Sequence, residues 1–152
     1  MASSTPHAIV LQTNEEGAER PICEGLATTT TVKPGHLIKF SSGTLIINGT
    51  AADADAPLMF AVENPFYKPT TTEAAIDHAY AAAETVRYIW AQPGDRLYAW
   101  LANSITVARG AALESDGVGG LQAWTTGRIV AFADEIVVNS LAAQARVKVR
   151  VA

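Results

Sequence analysis

The sequence predicts a mainly β protein, a compact barrel or sandwich of short antiparallel strands, on three observations. Turn signals recur at short intervals: "NEEG" at 14–17, "KPGH" at 33–36, "SSG" at 41–43, "NG" at 48–49, "NP" at 64–65, "QPGD" at 92–95 and "SDGVGG" at 115–120. Between them lie short runs rich in branched and aromatic residues, the composition that suits a pleated surface. Finally, 152 residues with an apolar fraction of 49% suffice for one domain with a real core.

The elements follow in chain order. Residues 1–25 read as an extended N-terminal arm with one short apolar run, Ala8, Ile9, Val10 and Leu11, in polar surroundings. Pro6 and Pro21 limit regular pairing there, and an arm that buries little is expected to be mobile. Residues 26–152 read as a single β-rich domain, whose first strands are "HLIKF", "TLII" and "PLMFAVE". The segment "TTTEAAIDHAYAAAE", 70–84, dissents: Ala75, Ile76, Ala79, Tyr80 and Ala83 fall at helical spacing, so a short helix or a long loop lies here.

"TVRYIWA" and "RLYAWLA" flank a Pro93-Gly94 turn, where proline presets φ and glycine accepts a positive value. Alternation puts Leu97, Ala99 and Leu101 on one face and Arg96, Tyr98 and Trp100 on the other. Likewise Val86, Tyr88 and Trp90 oppose Arg87, Ile89 and Ala91. Neither strand has a clean polar face, so both sides need cover, from this chain or from a neighbour. In the last strand Val147, Val149 and Val151 face the core, while Arg146, Lys148 and Arg150 read as a solvated edge. A Pro-Gly turn opens a strand in each half, and a Phe-Ala-x-Glu strand closes each unit, a weak internal echo.

Several function classes find no support. A net charge of -4 argues against a general nucleic-acid binder. The charged fraction of 17% is low against the usual ~25%, which hints at surface covered by other protein. Cys23 is the single cysteine, so no internal disulfide or cysteine-held zinc is expected. His7, His36 and His78 show no metal-ligand spacing, and no cofactor is expected. No apolar stretch approaches the ~20 residues of a membrane helix. "SDGVGG" lacks the Gly-Lys-Ser/Thr ending of a phosphate loop and reads as a hairpin turn. "AAIDHAYAAAE" resembles the Ile-Asp-x-x-Tyr motif of dUTPases, with Asp77 and Tyr80 in the active positions, but the glycine after the tyrosine and the phosphate motif are missing. "ANSITVARGAALES" has the rhythm of lipoyl carrier hairpins without the lysine.

The second half of the chain, about residues 57–152, resembles head decoration (capsid cement) proteins of tailed bacteriophages. The likeness rests on "YIWAQPGDRLYAWLANSITVARGAALESDGVGGLQ", "GRIVAFADEIV" and the terminal "RVKVRVA": a Pro-Gly-Asp turn into an aromatic strand, a glycine-rich hairpin, and a basic-alternating last strand. It implies a non-catalytic β-rich protein on the virion capsid surface, made in the host cytoplasm and bound at many equivalent sites. Its partners would be the major capsid protein and copies of itself, with a homotrimer favoured over a dimer and with neither nucleic acid nor membrane. The residues expected to meet the capsid or a neighbouring copy are Ala8, Ile9, Val10, Leu11, Tyr88, Trp90, Arg96, Tyr98 and Trp100. The rival class is a carbohydrate- or ligand-binding barrel stacking its ligand on Trp90, Trp100 or Trp124.

Overall fold

Pro-Gly turns set two of the sharpest corners in the chain. In the computed structural model, which describes residues 5–15, 19–27, 31–68, 72–140 and 142–152, Asp95 N–H donates to Gln92 O at 3.0 Å with Gly94 at φ 93°. His36 N–H likewise donates to Lys33 O at 3.0 Å with Gly35 at φ 91°. Both corners therefore need a residue free of the Cβ clash at positive φ. At Gly35 a Cβ would also stand 2.8 Å from Tyr98 O, so the turn packs directly on a strand.

Among the described residues the chain forms strands and no helix. In order they are β1 (Val10–Gln12), β2 (Cys23–Leu26), β3 (Ile38–Ser41), β4 (Thr44–Ile47), β5 (Met59–Ala61), β6 (Thr85–Trp90) and β7 (Arg96–Leu101). There follow β8 (Ile105–Val107), β9 (Ala112–Ser115), β10 (Leu121–Ala123), β11 (Ala131–Ala133), β12 (Val137–Asn139) and β13 (Ala145–Val151). Strands β7, β10, β9, β11 and β13 pair in sequence, and β13 returns to β7, closing a five-stranded barrel. The longest seam is β13 on β7, antiparallel from Ala145 opposite Leu101 to Arg150 opposite Arg96. Closure removes the free edges of these strands. Outside the barrel lie the sheet β2-β6-β5, the hairpin β3-β4 and the pair β12-β8.

Two cores result. The larger takes the inward residues of the barrel, among them Leu97, Ala99, Leu101, Leu113, Leu121, Val147, Val149 and Val151, together with Ile9, Leu37, Phe60, Ile89 and Ala91. The smaller gathers Ile38, Leu45, Met59, Ala61, Tyr80, Val86 and Tyr88. Strands β5 and β6 are the partition: Phe60 and Ile89 point into one core, Met59, Ala61, Val86 and Tyr88 into the other. Alternation along an extended strand makes this division unavoidable.

One alternative is resolved and two expectations change. The helix or loop over 70–84 is a loop from Thr72 on, residues 70 and 71 lying outside the described residues. One turn forms at Ala74, whose O accepts from Asp77 N at 2.9 Å, and another at Ala81, whose O accepts from Glu84 N at 3.1 Å. Tyr80 N then donates to Val32 O at 2.7 Å and Tyr80 Oη to Val62 O at 2.8 Å, so tertiary bonds override helix propensity. The arm over 1–25 is not separate from the domain: β1 pairs with β7, β2 pairs with β6, and Ile9 is fully buried. The basic row of β13 is not an edge, because that strand has neighbours on both sides, β7 and β11.

The buried position of Ile9 gives a direct check. Replacing Ile9 by Ala should lower the unfolding free energy by about 2–5 kcal/mol, the usual cost of emptying a core site. Denaturant titration reads this, and a loss under about 0.5 kcal/mol, ordinary for a surface position, would mean that β1 is not docked.

Candidate partner-binding surfaces

The outer face of β7 carries Arg96, Tyr98 and Trp100, and most of it is covered by the chain itself. Trp100 Nε1–H donates to Pro34 O at 2.9 Å. The Arg146 guanidinium lies 4.4 Å from the Trp100 ring centroid and Lys33 Nζ 5.6 Å from it, while the His36 ring packs alongside at 5.7 Å. Arg146 is itself tied to Asp77 at 2.7 Å and to Ile76 O. The loop over 72–84 and the turn at 33–36 thus roof the aromatic strand. Burial, helped by the positive charges of Lys33 and Arg146, pushes the His36 imidazole down to about 4, and its Nδ1 accepts from Lys33 N at 3.1 Å. Tyr98 is half-buried opposite Lys148, and Arg96 pairs with Asp134.

Tyr88 belongs to the smaller core, edge-on to Phe40 at 5.9 Å, and is not a surface residue. Trp90 ends the same strand 48% exposed. It lines an open cleft of about 310 Å³ with Pro57, Leu58, Gln92, Pro93 and Arg128. Trp124 is also half exposed, its Nε1–H held by Gly127 O at 2.8 Å.

The run 8–11 is split between core and surface. Ile9 N–H donates to Glu63 Oε2 at 3.0 Å and Ile9 O accepts from Tyr98 N at 2.8 Å, which fixes the strand onto β7. Ala8, Val10 and Leu11 are partly exposed. Val10 and Leu11 line a groove of about 330 Å³ together with Glu19, Arg20, Ile22 and Ile89. Among the described residues β1 pairs on one side alone, so its outer edge borders this groove.

Asp95 holds the arrangement in place. Its buried carboxylate accepts from Asn14 N, Gln92 N and both Arg20 Nε and Nη2, each at 2.8 Å. Burial disfavours the ionised form, yet the Arg20 guanidinium and the backbone donors outweigh it and hold the carboxyl below its ordinary value. The turn aspartate is therefore a clamp joining Asn14 and Arg20 to the barrel.

The dUTPase-like positions do not converge: Asp77 is exposed and bonded to Arg146, whereas Tyr80 is buried with its hydroxyl on a backbone carbonyl. Among the described residues no three His, Cys, Asp or Glu side chains gather as for a metal ion. Sequence reasoning passed over Glu114, which is fully buried beside the 115–120 hairpin. Thr125 Oγ1 donates to it at 2.6 Å, Gln122 Nε2 at 3.1 Å, Thr126 N at 3.2 Å and Gly127 N at 2.7 Å. Burial alone would raise its carboxyl; these donors reverse that and bring it down to about 2. Its signal in the sequence is the polar cluster "TTG" following a hairpin whose other acid, Asp116, caps the turn.

No protein-family model matches this chain, and no curated protein matches it either.

Glu114 and His36 contribute, alongside Asp95, to an acid limb. All three are depressed in the folded state, so the unfolded chain takes up more protons as pH falls and stability declines with acidification. The His36 part should develop below about 6.5 and be complete near 4, the Glu114 part between about 4.5 and 2. In Glu114→Gln the decline below 4.5 should flatten while the His36 part persists. An unchanged slope there, measured by denaturant titration at each pH, would contradict the assigned hydrogen bonds.

Proposed function

We propose that this protein binds the outside of a preformed bacteriophage capsid and stabilises it, without catalysis. The observation that carries the reading is the docking edge: β1 borders a groove in which Val10, Leu11 and Ile22 stand beside Glu19 and Arg20, on a chain poor in charge overall. A strand of the major capsid protein added along β1 would gain backbone hydrogen bonds, with the groove accepting its alternate side chains. The decoration-protein resemblance over about 57–152 supports the same class. A barrel clamped through Asp95 suits this work, because a rigid partner loses little freedom on binding.

Self-association fits the exposed pair Ile136 (75%), just before β12, and Val138 (68%), on β12, a strand paired on one side alone among the described residues. A homotrimer on a capsid symmetry axis would cover them and gain avidity from a small repeated contact. A second reading, carbohydrate binding, is favoured by Trp90 beside Gln92 and Arg128 in an open cleft.

Heads saturated with the wild-type protein should rupture at a higher temperature than bare heads, since a ligand of the intact shell stabilises it by mass action. Leu11→Asp and Ile22→Asp should stay folded and fail to protect, whereas Trp90→Ala should protect as well as wild type. Equal rupture temperatures for bare and decorated heads would end the reading. Binding of an oligosaccharide panel, abolished in Trp90→Ala, would establish the second one instead.

A further inference from the structure

Arg150 on β13 and Arg96 on β7 are direct cross-strand partners on the outer face of the barrel. Like charges placed opposite one another repel, so the pair needs a counter-charge. Asp134 supplies it, with a side chain only 5% exposed. Its Oδ2 accepts from Arg96 Nε at 2.6 Å, and the same oxygen also pairs with Arg96 Nη2. Arg109 and Arg150 approach the other oxygen only to 3.7 Å, beyond hydrogen-bonding distance. Three guanidiniums thus share one carboxylate, and the next acid, Glu135, is matched by Lys148 at 3.8 Å. Positive charge is left over at this spot on a chain whose net charge is -4.

The surplus faces an open site. Arg109 and Arg150 border a cleft of about 270 Å³ lined also by Gly110, Phe132, Ala133 and Asp134. Phe132, the cross-strand neighbour of Arg150, gives the cleft an apolar wall and is partly exposed. We infer that the cleft between Arg109 and Arg150 binds a carboxylate, taking an acidic peptide segment that carries an apolar side chain next to its acid. The planar fork of arginine matches a carboxylate with two parallel N–H donors, which a lone ammonium cannot do. The apolar neighbour would rest on Phe132. A nucleic acid is the poorer fit, because a polyanion needs a track of phosphate contacts and this chain offers one isolated spot. The inference stands apart from the capsid reading, since the occupant is defined by chemistry alone.

The probe is an N-acetylated, C-amidated peptide Glu-Glu-Leu-Phe, titrated into the full chain and followed by amide NMR shifts. Saturable binding is expected, with shifts centred on Gly110, Phe132 and Ala133, and a loss of about tenfold or more in R109Q/R150Q, the ratio that about 1.4 kcal/mol of lost contact produces. Lys68→Gln, which removes an exposed cation elsewhere, should bind as wild type, and the Gln-Gln-Leu-Phe peptide should not bind. Where the double variant loses its folded spectrum, Arg109→Gln alone carries the test, since that side chain is 70% exposed and holds no short contact to Asp134; a several-fold loss is expected. Binding that fails to saturate at millimolar peptide overturns the inference. So does binding indifferent to these variants, or inorganic phosphate competing as tightly as the peptide.

Discussion

Strand β6 sends Val86 and Tyr88 into one core and Ile89 into the other, with Ala91 just beyond its end, and the rest of the molecule is arranged to cover both sides. A strand without a polar face cannot stand at the surface, so the closed barrel packs on one side and the β3-β4 hairpin with Tyr80 on the other. Each fully buried branched side chain is worth about 1.5–3 kcal/mol, so this partition concentrates stability in a few residues. The loop over 72–84 is drawn in by the same need: Tyr80 fills the smaller core and its hydroxyl satisfies the Val62 carbonyl.

From that constraint comes the division of the surface. Aromatic residues dense in the sequence are mostly used internally, Tyr88 in a core and Trp100 under the 33–36 turn, where Arg146 and Lys33 bracket its ring. What remains outside is scattered apolar area, at Trp90, Ile22, Ile136 and Val138, set in a surface with few charges. Apolar residues scattered singly in this way are ordinary on a folded protein, so the groove beside β1, where several meet, is the more informative feature. Asp95 links the two levels, since its bonds to Arg20 and Asn14 hold the groove wall against the barrel.

Local features were legible in the sequence because local chemistry decides them. Pro93-Gly94 and Pro34-Gly35 make the expected turns, the 115–120 cluster closes the β9-β10 hairpin, and alternation in β7 and β13 matches burial residue by residue. Long-range choices were hidden. Three residues of β1 carry no period that announces pairing with a strand some 85 positions on, and the clamp between Arg20 and Asp95 spans 75 residues. The basic row of β13 reads as an edge because its cross-strand acids, Asp134 and Glu135, lie in another segment. Buried Glu114 looked ordinary for the same reason: its donors come from residues 122–127.

We propose that the protein presents the β1 edge and its groove to a capsid shell. Cryo-electron microscopy of heads reconstituted with the purified protein tests it most directly. One copy is expected at each equivalent site, with a capsid strand alongside Val10–Gln12 and density between Leu11 and Ile22. Bare heads under saturating protein, or copies seated with the β1 groove open to solvent, would contradict it.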